Sequence, residues 1–218
     1  MSDHIGKHIK AVLFDHDDTL VGTIGAKWDQ HKHIARTYYG KDLTDAEISE
    51  HWGKPLPELA CLLYETEDVE EAMARVIANH EAFPKELFAA TIPILRHLKA
   101  AGKEIGIITA SSRFSFEYDL DLHCIPRELL DYTQTADDTI YHKPDKRVFD
   151  PALSWLKSAS IQPDEVIYIG DGLHDMKAAL ESGFSFLGVE TGLVTAEQFK
   201  SAGALSIPSI ASLSGLVR

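Results

Sequence analysis

The sequence is poor in cysteine, in basic charge and in long apolar runs. Cys61 and Cys124 are the only cysteines among 218 residues, too few for a disulfide framework or a Cys-based zinc site. A reducing cytoplasm is therefore the expected compartment. No run of about 18 apolar residues occurs, so no helical membrane span and no membrane partner are expected. The opening stretch, Met-Ser-Asp-His-Ile-Gly-Lys-His-Ile-Lys, has no apolar segment after its charges, so no secretory leader is expected. Basic residues number 21 against 34 acidic ones, a formal net charge of −13. That balance argues against a nucleic-acid surface. An anionic substrate then needs local positive charge, from a metal and a few placed lysines. Internal repeats and low-complexity segments are also missing.

What the chain does have is concentrated in residues 11–20, Ala-Val-Leu-Phe-Asp-His-Asp-Asp-Thr-Leu. Four apolar residues in a row predict a strand buried on both faces. Asp15 then stands at its carboxyl end, where open parallel sheets place their ligand sites. Asp17 and Asp18 follow at once. Three crowded carboxylates repel one another unless a positive group, such as a divalent cation, lies among them.

Further β-like runs occur at Ile105–Ile108, Val166–Ile169 and Phe184–Val189. Helical patterns separate the later ones, at Ile92–Ala101, Arg113–Leu122, Lys146–Lys157 and Leu173–Ser182, with Gly183 as a stop. Alternation of this kind predicts βαβ units, hence an α/β fold with a Rossmann-like, doubly wound parallel sheet. Thr195–Gln198 fits a capping box opening one more helix. Residues 22–88 differ, having no convincing strand. Trp28, His31, Ala35 and Tyr38 recur at helical spacing, as do Val69, Met73, Val76 and His80. Gly40 is a predicted helix end, and Thr44 with Glu47 a predicted cap. The expected organisation is a core from 1–21 and 89–218 with an all-helical insertion at 22–88.

Four places carry candidate chemistry. Asp15 and Asp17, two residues apart on an extended segment, point the same way. Such a pair can divide nucleophilic or metal-binding work from proton transfer. An acidic turn capped by Thr19 is the competing reading. Thr109, with Ala110 after it, ends the second strand at a helix start, a geometry suited to phosphate. Ser111 and Ser112 read better as ordinary helix caps. Lys143, followed by Pro144, can bind phosphate and keep a carboxylate ionised, although a lone lysine is usually a solvated charge. Asp171, between two glycines, and Asp175, about one helical turn later, can hold Mg²⁺ directly or through its waters. Three strands thus end in a polar functional residue, and a parallel sheet gathers such ends together.

The set Asp15-x-Asp17-x-Thr19, Thr109, Lys143-Pro144 and Gly170-Asp171-x-x-x-Asp175, in this order, resembles the haloacid dehalogenase superfamily. The likeness spans nearly the whole chain. The helical insertion resembles the C1-type cap of the phosphoglycolate phosphatase and β-phosphoglucomutase branch. The resemblance implies that Asp15 attacks phosphorus and becomes an aspartyl phosphate. Asp17 would protonate the leaving oxygen and then activate water. Thr109, Ala110 and Lys143 would bind the phosphoryl group. Asp15, the Asp17 carbonyl, Asp171 and Asp175 would hold or support Mg²⁺. Lys54, in His51-Trp52-Gly53-Lys54-Pro55, resembles a cap loop that meets substrate, and a plain helix–helix linker is the equal alternative. His31 and His33 are expected on a polar face of the insertion, and Trp28 and Trp52 in its packing.

Departures accompany the likeness. Asp18 stands where the family usually has Gly, Gly22-Thr23 where Asp-Ser is common, Ala110 where Asn often follows, and Lys146 where a second proline is frequent. A carboxyl at Asp17 implies phosphate-ester chemistry rather than dehalogenation or phosphonate cleavage. The expectation is a Mg²⁺-dependent, cytoplasmic phosphatase acting on a small phosphate monoester, as a monomer or homodimer. A phosphomutase is the alternative, though its usual histidine is replaced by Lys27. A non-catalytic phosphate-binding protein is the third reading.

Overall fold

The computed structural model describes residues 8–215; residues 1–7, read above for a leader, lie outside the described residues. The described chain forms two compact units that divide at Gly22/Thr23 and Glu86/Leu87. The insertion is thus shorter than the sequence reading by one residue at its start and two at its end. Val21–Gly22 (β2) and Glu86–Leu87 (β3) pair as a short two-stranded sheet at these points. The Phe88 N–H and the Thr91 hydroxyl both donate to the Leu20 carbonyl, which ties the returning chain into the larger unit.

The larger unit begins with Ala11–Phe14 (β1). The helical unit then contributes Ile24–Tyr39 (α1), Asp45–His51 (α2), Leu56–Tyr64 (α3) and Val69–Ala78 (α4). The larger unit resumes with Thr91–Ala100 (α5), Glu104–Ile108 (β4), Arg113–Leu122 (α6) and Tyr132–Gln134 (β5). Asp150–Ser158 (α7), Val166–Gly170 (β6), Leu173–Glu181 (α8) and Ser185–Val189 (β7) follow. Ala196–Ser201 (α9) and Ser206–Ile207 (β8) come last, before a 3-10 turn at Ile210–Gly215.

Six strands form one parallel sheet in the order β5-β4-β1-β6-β7-β8. The chain is therefore an α/β protein with a Rossmann-like core, as its sequence predicts. Side-chain alternation sorts β1 between two cores. Val12 and Phe14 pack with Ile94, Leu98, Phe116 and Leu120 from α5 and α6. Ala11 and Leu13 pack on the other face with Leu156, Tyr168 and Ala178. Gly106 on β4 is needed for close approach, because a Cβ there would lie 2.6 Å from Leu13 Cδ2.

Lys146–Lys157 does not form one helix. A 3-10 turn covers Lys146–Phe149 and α7 starts only at Asp150. Pro151 occupies the first turn of α7, where its missing N–H is harmless; within a continuous helix it would remove a bond and clash with the preceding turn.

In the helical unit, Gly40 at φ 65° ends α1 in the left-handed conformation. Thr44 and Glu47 form a reciprocal capping box on α2. Ile34, Ala35, Ile48, Leu63, Tyr64 and Val76 make its core. Trp28 and Trp52 meet edge to face at 5.9 Å. His31 corrects the sequence reading. It is buried, with Nδ1 2.7 Å from the Tyr64 hydroxyl, while His33 alone is exposed. Among the described residues no helix is long and apolar enough to cross a membrane.

Candidate active site

The register of the sheet levels its strand ends. Phe14 lies opposite Ile107 on one side and Ile169 on the other. Asp15 therefore emerges between the ends of β4 and β6, and its N–H donates to the Ile169 carbonyl at 2.8 Å. Alternation continues past the strand, sending Asp15 to the Leu13 face and His16 to the Phe14 face. The turn that follows is closed by backbone. Thr19, Leu20 and Val21 all donate N–H to the His16 carbonyl. Thr19 does not cap it, since its buried hydroxyl has no hydrogen-bond partner among the described residues. Asp18 sits at φ 53°, a left-handed conformation in which Asp is among the better-tolerated residues after Gly. The Thr191 hydroxyl donates to its carbonyl.

Lys143 is the hub. Its Nζ lies 2.7 Å from Asp15 Oδ1, 2.7 Å from Asp175 Oδ1 and 2.7 Å from the Tyr168 hydroxyl. Only 5% of its side chain is exposed, so the solvated-lysine reading is excluded. The Tyr168 hydroxyl in turn donates a hydrogen bond to the Ile108 carbonyl at 2.9 Å. Asp175 accepts on its second oxygen from the Gly172 N–H at 3.0 Å. The backbone there admits no larger residue: a Cβ on Gly170 would meet the Asp175 carboxylate at 2.7 Å.

One oxygen from each of Asp15, Asp171 and Asp175 lies within 4.8 Å of the others. Burial pushes the Asp15 carboxyl up to about 6; Lys143 opposes that rise, and Asp175 and Asp17 add to it. Burial also holds Asp171 well above the usual carboxylate range, reinforced by Asp175, Asp15 and Asp18. Asp175 is held below that range despite its burial, chiefly by Lys143. Three carboxylates share one ammonium here, and all offered atoms are hard oxygens. This donor set suits a divalent cation, which would relieve the surplus negative charge. Gly192 crowds the same place, as a Cβ on it would overlap the Asp171 carboxylate.

Asp17 turns to the β4 end. Its Oδ2 accepts from Thr109 Oγ1 at 3.2 Å and from Ser111 Oγ at 2.7 Å. Ser112 is the N-cap of α6, accepting from the Ser115 N–H. Only one of the two serines can cap, which leaves Ser111 for Asp17 and corrects its reading as a cap. The sequence also missed Tyr168; its signal was a phenol inside a buried strand, a group that needs a partner. Ala110 is exposed beside Thr109 and lines, with Thr135, Tyr141, His142 and Lys143, a small cavity. Lys54 belongs to the helical unit. It lies in the linker between α2 and α3, paired with Glu58 at 2.6 Å.

The strand ends of a parallel α/β core thus carry a lysine-centred acidic cluster. The family model of the haloacid dehalogenase-like hydrolases matches residues 12–189, and the chain belongs to that family of enzymes. A Clostridium perfringens protein named as a PpaX pyrophosphatase is 30% identical over 186 residues, covering 84% of each chain. A haloacid dehalogenase-like hydrolase structure from Bacteroides fragilis aligns with TM-score 0.81 at 30% identity, covering 94% of this chain and 99% of that one. A Thermotoga maritima structure described as a β-phosphoglucomutase shares the fold, with TM-score 0.77 at 21% identity and coverage of 95% and 98%.

Proposed function

We propose that the protein is a Mg²⁺-dependent phosphatase of small phosphate compounds, working through an aspartyl phosphate on Asp15. The observation that carries this reading is the buried Lys143 ammonium, 2.7 Å from Asp15. It keeps a nucleophilic carboxylate ionised and offers positive charge where phosphoryl oxygens would arrive. Asp15, the Asp17 carbonyl and Asp171 would hold Mg²⁺. Asp175 supports it from its bonds to Lys143 and Gly172. The ion would supply further charge neutralisation for the phosphoryl oxygens.

In the first half-reaction a carboxylate oxygen of Asp15 bonds to phosphorus as the bond to the leaving oxygen breaks. Protonated Asp17 gives its proton to that oxygen. In the second, Asp17 takes a proton from water as the water oxygen bonds to phosphorus. The bond between phosphorus and Asp15 breaks, releasing phosphate and restoring both carboxyls. Thr109, the Ala110 N–H and Lys143 hold the phosphoryl oxygens throughout. Lys54 is assigned to substrate choice, with residues 23–86 acting as a cap. The free thiols of Cys61 and Cys124 suit a reducing cytoplasm.

The test is phosphate release, with and without Mg²⁺, from para-nitrophenyl phosphate, two-carbon acid phosphates, sugar phosphates and pyrophosphate. The similarity to a named pyrophosphatase puts the last substrate on the panel. Asp15→Asn is expected to reduce turnover by about 10³-fold or more, as loss of a nucleophile does. Wild-type turnover in that variant overturns the nucleophile assignment. Interconversion of sugar phosphates without net phosphate release assigns a mutase instead.

A further inference from the structure

Between the two aspartates at the site lies a residue that the reaction does not use. His16 is fully buried on the opposite face of β1, against α6. Its Nε2 lies 3.0 Å from Asp119 Oδ2, and the two side chains are 0% and 1% exposed. An N–H at Nε2 of the imidazole can donate to this carboxylate, so the pair can form one buried hydrogen bond. The ring also meets Phe116 edge to face at 5.1 Å. Both partners of the ring therefore come from one helix, α6.

The backbone of the same residue is equally engaged. Its carbonyl accepts from Thr19 at 3.4 Å, Leu20 at 2.9 Å and Val21 at 3.2 Å. The turn carrying Asp17, Asp18 and Thr19 is thus folded around the His16 carbonyl. Asp17 and Val21 face each other in an isolated bridge across it. A shift or rotation of residue 16 would move Asp15 and Asp17 together, since each is one peptide away. A buried polar pair is an expensive way to fill this space. A phenyl or leucyl side chain would pack there without a hydrogen-bonding obligation. What the pair adds is direction, because a hydrogen bond fixes ring orientation where apolar packing tolerates rotation and slip.

We infer that His16 and Asp119 form a buried positioning strut, which anchors the turn to α6 so that the Asp15 and Asp17 carboxylates converge on one phosphorus. The inference rests on the roles proposed above for Asp15 and Asp17. Neither strut residue touches substrate.

The test compares His16→Phe, which keeps a ring and loses the N–H, with His16→Gln, whose amide reaches as far as Nε2. In His16→Phe, kcat is expected to fall by about 10- to 100-fold with KM within about threefold, the size of effect that an ångström of misplacement produces. His16→Gln should stay within about fivefold of wild type in kcat, because it restores the bond. The same contrast is expected between Asp119→Ala and Asp119→Asn, and the two damaging changes combined should be no worse than the worse one alone. A folded His16→Phe with kcat within threefold of wild type overturns the strut, as does equal loss in His16→Gln and His16→Phe. If His16→Phe does not fold, the Asp119 pair of variants is judged by the same criteria. Asp15→Asn in the same assay separates the two levels. Its survival removes the reading of Asp15 whatever His16 does. Its inactivity beside an unimpaired His16→Phe removes the strut alone.

Discussion

Each unit buries an ionisable side chain, Lys143 in the larger and His31 in the helical one, and these two are treated in opposite ways. In the larger unit, Lys143 is buried with its charge intact, kept protonated against its desolvation by Asp15 and Asp175. In the helical unit, burial drives His31 down to about 4, so that it stays neutral against Tyr64. Burying a charge is tolerable only with matched partners, and neutralisation is the cheaper solution where no chemistry needs the charge. The difference separates a place built to act from a place built to hold its shape.

The sharpest way to break this contrast is Lys143→Met. Removing one partner of a buried ion cluster leaves uncompensated carboxylates, at a cost of about 3–5 kcal/mol. Urea unfolding should register that loss, and phosphatase turnover should fall by about 10²-fold or more, since a charged contact to the reacting group is gone. Stability and turnover both near wild type would mean the ammonium is not the hub.

His31 supplies the next test, with the sign fixed by its lowered value. The unfolded chain binds the proton more readily than the folded one. The stability contributed is therefore present above the ordinary value of 6.5 and lost as pH falls toward about 4. The shift corresponds to about 3 kcal/mol over that window. Unfolding free energies measured between pH 7 and pH 4 should lose less in His31→Phe than in wild type. Identical pH slopes would place the acid sensitivity elsewhere.

Gly192→Ala probes the acidic cluster without removing a charge. The added methyl displaces the Asp171 carboxylate, so the Mg²⁺ concentration for half-maximal activity should rise by about tenfold, in line with the loss of well-oriented ligand support. Melting should shift little. An unchanged Mg²⁺ titration would separate Asp171 from the metal. The smallest effect belongs to Thr44→Ala, which removes the capping box of α2 and should lower stability by about 1 kcal/mol. Turnover of the folded enzyme should not change. A fall in kcat there would show that the helical unit carries more of the chemistry than a change at an exposed helix cap accounts for.

The core strands were legible because apolar runs mark them. Ala11–Phe14 and the helix Arg113–Leu122 match their predicted bounds. β5, Tyr-Thr-Gln, was not legible: it has no apolar run, and only Gln134 is buried. Its place is set by pairing with β4, which is information from another part of the chain. The gathering of Asp15, Lys143 and Asp175 was foreseen from motif order, and the structure brings their side chains together. Tyr168 and Ser111 were not foreseen, because each fits a commoner local role. His31 was misjudged because helical spacing shows that a face exists and leaves open which residues occupy it. Asp18 has gained a backbone explanation in its positive φ.

The position of the helical unit within the chain also bears on how the protein folds. β1 has no sheet neighbour nearby in sequence: Ala11 pairs with Glu104 and Val166. A nascent chain must hold this strand unpaired until the whole insertion and β4 have emerged. Closing so long a loop carries an entropic cost, and long-range parallel pairing slows folding. Early collapse of residues 23–86, with β2 and β3 pairing at their base, shortens the effective loop. The helical unit then acts as a splint during folding. Variants that loosen it should refold more slowly, even where the native sheet is untouched.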